Sequence, residues 1–76
     1  MTKKLNKEEF RMLIKNNIRA KIKDSNIPVS KIANEIKVVP KAIYRWMDPN
    51  DDIVPTIDHI CALSMILNCT IQSFFD

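Results

Sequence analysis

"KIANEIKVVPKAIYRW", residues 31–46, holds two short apolar patterns at helical spacing, with a turn and a proline between them. Ile32, Ala33 and Ile36 make the first inward stripe; Ile43, Trp46 and then Met47 make the second. Each segment is too short to be a stable helix alone, so other helices must pack on both. Pro40 suits the first turn of the second helix, where its missing N–H costs nothing. Lys41, Tyr44, Arg45 and Asp48 then fall at i, i+3, i+4 and i+7, on the face that the apolar residues leave unused. A helix docked by one face and bare on the other fits the major groove of B-DNA, its first turns meeting the base edges.

Upstream, Asn6 followed by Glu9 reads as a helix cap with a reaching acid. Glu8 and Glu9 suit the positive start of a helix. Phe10, Leu13, Ile14, Ile18 and Ile22 then step by three and four, which predicts helix 1 over about 7–24. Arg11, Lys15, Arg19 and Lys23 recur every four residues on another face, either solvated or a wall toward a phosphate backbone. "SNIP" breaks this helix, and Pro28 opens helix 2. Downstream, "MDPNDDIVP" is a loop with turn chemistry. Asp48, Asn50 and Asp52 match the first ligand positions of an EF-hand by spacing, but Ile53 stands for the required Gly and His59 for the closing Glu, so no calcium site is expected. Thr56 caps helix 4, in which Ile57, Ile60, Cys61 and Leu67 make one stripe, Leu63 and Ile66 a second. "NCTIQSFFD" predicts a fifth, short helix carrying Ile71, Phe74 and Phe75.

Seventy-six residues make one all-α domain over 7–76, preceded by a basic arm at 1–6, with the helix-turn-helix at about 28–47. Glycine is absent, which argues against Gly-closed hairpins and Gly-rich phosphate loops. All twelve Lys and Arg lie in residues 1–45, which carry a net +8; residues 46–76 carry five acids and no Lys or Arg. One half can thus attract a polyanion and the other cannot. Cys61 and Cys69 read as small apolar residues in a reducing compartment, and with His59 alone they cannot furnish a zinc site. No run is long enough to span a bilayer and no signal core opens the chain, so a cytoplasmic protein without membrane attachment is expected. No serine elbow, Walker loop or metal cluster is present, so neither enzyme activity nor a cofactor is expected.

"IPVSKIANEIKVVPKAIYRWM" resembles the helix-turn-helix of the lambda-repressor, Cro and xenobiotic-response-element family of bacterial and phage regulators. The resemblance rests on the pair Ile32-Ala33, on Val38 in the turn, and on Ile43 and Trp46 in the reading helix. "PTIDHICALSMILNCTIQSFF" is similar to that family's fourth and fifth helices, and the likeness spans about residues 18–75. It implies a compact five-helix, lambda-repressor-like DNA-binding fold. It also implies base reading by Pro40, Lys41, Tyr44 and Arg45, with Ala42 near a thymine methyl. Phosphate contacts fall to Val29, Ser30 and Lys31, with Arg19 from the helix 1 stripe. Lys37 stands where the family usually has Gly, at a turn position that often needs a left-handed backbone. Asp48, Asp51 and Asp52 follow the reading helix where the family's loop usually approaches phosphate; they would repel DNA unless the loop turns away or a cation intervenes.

The reading that follows is a Cro-like repressor, binding a double-stranded operator as a homodimer sealed through Leu63, Ile66, Phe74 and Phe75. Adjacent Phe74 and Phe75 point about 100° apart on a helix, so a small core holds one and leaves the other for a partner chain. A rival reading gives the same fold to a protein-interaction module: an antirepressor, an antitoxin or a phage-encoded inhibitor. The acidic loop and C-terminal half favour that rival. A DNA-docking piece of a recombinase or transposase complex fits the residues as well as a repressor does.

Overall fold

The computed structural model describes residues 5–76, and among these the chain is all-helical with no strand. Its elements are α1 (Lys7–Ser25), α2 (Val29–Ile36), α3 (Pro40–Met47) and α4 (Ile57–Ile66), followed by a single 3-10 turn, Gln72–Phe75. The expected fifth helix is therefore only that turn. Thr70 and Ser73 give the reason: the Ser73 N–H donates to Thr70 Oγ1 and the Ser73 hydroxyl donates to the Thr70 carbonyl, drawing the backbone into local turns. Of the expected basic arm, residues 1–4 lie outside the described residues, and Asn6 belongs to α1 as its cap.

That cap is the reciprocal box read from the sequence. Asn6 Oδ1 accepts from the Glu9 N–H at 2.8 Å, and Glu9 Oε1 accepts from the Asn6 N–H at 3.3 Å. Pro28 sits one residue before α2 as its N-cap, Pro40 is the first residue of α3, and Thr56 caps α4 by accepting from the His59 N–H. Without glycine, three residues among those described take the left-handed conformation: Asn26, Lys37 and Asn68. Lys37, at φ 62°, closes α2, and the next N–H, that of Val38, reaches back to the Ala33 carbonyl at 3.0 Å.

Ile18 and Ile22 of α1, Ile32 and Ala33 of α2, Ile43 and Trp46 of α3, Ile60 and Leu63 of α4, and Phe74 form one core. Every element contributes to it, which is how helices of eight residues persist. The inner face of α4 is Ile60, Leu63 and Ser64, which cuts across both predicted stripes; Ile57 instead projects at 61% exposure and Met65 at 82%. The 3-10 turn is tied down by Asn17, whose side-chain amide donates to the Phe74 carbonyl at 2.8 Å, and by Lys21, whose ammonium lies over the Phe74 ring. Among the described residues, no helix is long and apolar enough to cross a membrane.

Candidate functional site

The outer face of α3 is the part of the molecule in which chemistry-bearing side chains are held out by a docked helix. Ile43 and Trp46 anchor it in the core, while Pro40, Lys41, Tyr44 and Arg45 are all exposed, Tyr44 by 57%. Ala42 is turned partly inward and packs against the core. At the start of α2, Ser30 and Lys31 are exposed and Val29 is half-buried against the core. Arg19 stands apart on α1, exposed, with its guanidinium donating to Asn16 Oδ1 at 2.8 Å. The four residues expected to read bases thus share one surface, and the α2 residues expected to hold phosphate share another short one.

Lys15 corrects the basic stripe of α1. It is fully buried, and its ammonium donates to the backbone carbonyls of Arg45 (2.8 Å), Trp46 (3.4 Å) and Ile53. The last carbonyls of a helix have no partner within it and carry the negative end of its dipole. A cation from α1 therefore satisfies the end of α3 and the loop beyond it. Burial pushes the Lys15 pKa below the ordinary lysine value of 10.5, while the Asp51 and Asp48 carboxylates pull it back up. Lys15 is unavailable to phosphate; its work is to place the C-terminal end of α3. The signal was present in the spacing, since Lys15 lies three and seven residues before Ile18 and Ile22 and so shares their buried face.

The acidic loop is folded onto this joint. Asp51 Oδ1 accepts from the Ile53 N–H at 2.8 Å, and Asp51 Oδ2 accepts from Arg45 Nε at 3.0 Å. The Ile53 amide, then the Arg45 guanidinium, hold the Asp51 carboxyl below its ordinary 3.8. Asp48 Oδ1 accepts from the Asn50 N–H at 2.9 Å, and Asp52 lies 3.6 Å from Arg11 across the fold. Two of the loop's three acids are thus partnered by arginines of the basic half, and the two halves of opposite charge interlock in space. Among the described residues, no group of three or more His, Cys, Asp or Glu is placed to hold a metal ion. His59 packs against Trp46, ring centroids 5.2 Å apart, and its Nδ1 meets Thr56 Oγ1 at 3.2 Å.

Of the residues expected at a dimer interface, Leu63 and Phe74 are fully buried in the chain's own core and present no surface to a partner. Ile66 is half-buried against that core, and Phe75 is half-buried with its ring edge-on to Phe10, centroids 5.9 Å apart. One phenylalanine of the pair is inside and the other is partly outside, as adjacent positions of a 3-10 turn, about 120° apart, allow. Cys61 and Cys69 are free thiols, half-buried. Comparison with known protein families, curated proteins and solved structures finds no match to this chain.

Proposed function

We propose that this chain is a sequence-specific, double-stranded DNA-binding regulator of the Cro type, with a lambda-repressor-like fold, that reads its operator through α3. The observation that carries the reading is the exposed Lys41, Tyr44 and Arg45 face of a helix whose other face is locked in the core. In this reading Arg45 donates to guanine O6 and N7, Lys41 supports it, and Pro40 touches a thymine methyl. Ser30, Lys31 and the Val29 N–H at the start of α2 hold phosphate, and Arg19 adds charge from α1. The protein acts as a homodimer on a two-fold operator, in the cytoplasm and without cofactor or catalysis.

Arg45 and Lys31 separate reading from holding. Arg45→Ala should cost about 1–3 kcal/mol on a duplex selected from a random pool and much less on random DNA. Lys31→Ala should weaken both by similar factors and lower the salt slope by about one per subunit. Fluorescence anisotropy on both duplexes at two salt concentrations measures each effect. A wild type that binds no DNA at low salt overturns the reading. The protein-interaction module then takes its place, favoured by the acidic loop and the acidic C-terminal half.

A further inference from the structure

We propose that Asp51 is a specificity-determining positioning residue, holding Arg45 from the side so that the guanidinium tip faces outward as a preset fork for a guanine edge. This rests on the DNA reading of α3 proposed above.

Asp51 Oδ2 accepts from Arg45 Nε at 3.0 Å, and among the described residues neither terminal nitrogen of Arg45 has a hydrogen-bond partner. A carboxylate paired end-on would occupy both terminal nitrogens; Asp51 takes Nε alone. Gripped at Nε, the guanidinium keeps both terminal nitrogens free, and these are the donors that guanine O6 and N7 accept together. The exposures agree: the Arg45 side chain is 49% exposed, whereas the Asp51 side chain beneath it is 23% exposed.

The grip is itself anchored. Asp51 Oδ1 accepts from the Ile53 N–H, the Ile53 carbonyl accepts from the Lys15 ammonium, and that ammonium also donates to the Arg45 carbonyl. The hydrogen bonds form a closed ring: Arg45 side chain, Asp51, Ile53, Lys15, Arg45 backbone. Both ends of the Arg45 side chain are therefore referenced to one fully buried cation. A free arginine must give up its rotamer freedom when it docks on a base; one already held loses less. Asp51 also adds a negative charge beside the reading face, which weakens contact with any phosphate nearby. The charge acts on both DNAs alike, whereas the preset fork favours only the base contact and so raises the ratio of specific to non-specific binding.

Asp51→Asn isolates the role, because the amide oxygen still accepts from the Ile53 N–H while the group facing Arg45 Nε loses its charge. The measured quantity is the ratio of dissociation constants, random duplex over selected duplex, by fluorescence anisotropy. Asp51→Asn should lower this ratio roughly tenfold, random DNA being bound more tightly and selected DNA no more tightly. In an Arg45→Ala background the same substitution should shift both DNAs equally and leave the ratio unchanged. If Asp51→Asn does not fold, Asp51→Ser retains a hydroxyl acceptor for Ile53 and replaces it in the cycle. The Arg45 Nε–H signal of the wild type, followed by NMR, should stay protected from exchange in the selected complex. An unchanged or raised ratio, an equal fall in the Arg45→Ala chain, or loss of that protection on binding overturns the positioning role alone. A wild-type ratio near one overturns the DNA reading and this role with it.

Discussion

Lys37 holds φ 62° and ψ 47° at the end of α2, where a side chain crowds the following carbonyl. Such a conformation costs an L-residue roughly 1–2 kcal/mol. Asn26 and Asn68 share the conformation, but asparagine adopts it more readily because its short amide can bond locally. Lys37 is therefore the most strained of the three. Lys37→Gly should remove that strain, less the extra freedom that glycine gives the unfolded chain, for a net gain of about 1 kcal/mol at most. At this size that raises the melting temperature by about 4–8 °C. Asn26→Gly and Asn68→Gly should each gain less. A clear fall in the melting temperature of Lys37→Gly would mean that residue 37 has ordinary helical geometry in solution. The left-handed backbone expected at residue 37 is the one observed, and a lysine bears a cost there that glycine would not.

At the scale of elements, the joint between α1 and the end of α3 is what makes an eight-residue α3 usable. Without Lys15, the buried Trp46 carbonyl and the part-buried Ile53 carbonyl would lose the ammonium, and the Arg45 carbonyl would keep only the Asp48 N–H at 3.3 Å. Lys15→Met keeps the length and apolar stem but removes that donor. It should cost about 2–3 kcal/mol, a large part of the total for so small a domain. Urea denaturation decides it; a Lys15→Met chain as stable as wild type would mean that water reaches the end of α3. The caps and boundaries of α1, α3 and α4 were readable because they depend on neighbours within four residues, as Asn6, Pro40 and Thr56 show. The role of Lys15 was not: its spacing to Ile18 and Ile22 put it on the buried face, but its partners lie 30, 31 and 38 residues away. The facing of α4 was lost for a different reason. Its inner face includes Ser64, whose hydroxyl is satisfied by the Cys61 carbonyl at 2.6 Å, so a polar residue hid the continuous stripe.

At the scale of the whole molecule, the division of charge along the sequence was legible and its folding was not. Arg45 with Asp51 and Arg11 with Asp52 join the two halves through contacts that only the tertiary structure creates. The exposed cations of α2 and α3, Lys31, Lys41 and Arg45, are those that the proposed DNA complex uses. Dimerisation in that complex must also use what the fold leaves outside. Leu63 and Phe74 are spent in the core, so we propose that the interface uses the partly exposed pair Phe10 and Phe75, with Val54 beside Phe10 in a groove also lined by Lys7, Arg11 and Asp52. A stable interface covers about 800 Å² of each partner, so losing a central aromatic should be decisive. Wild type should sediment as a dimer at micromolar concentration, and Phe75→Ser should fold and sediment as a monomer. Phe74→Ser should instead lose its core and melt at a lower temperature in any oligomeric state. Ile66→Ser tests the competing surface on α4, where Met65 also projects. If Phe75→Ser remains a dimer and Ile66→Ser becomes a monomer, the partner seats on α4. If both remain dimers, the homodimer does not form through either surface.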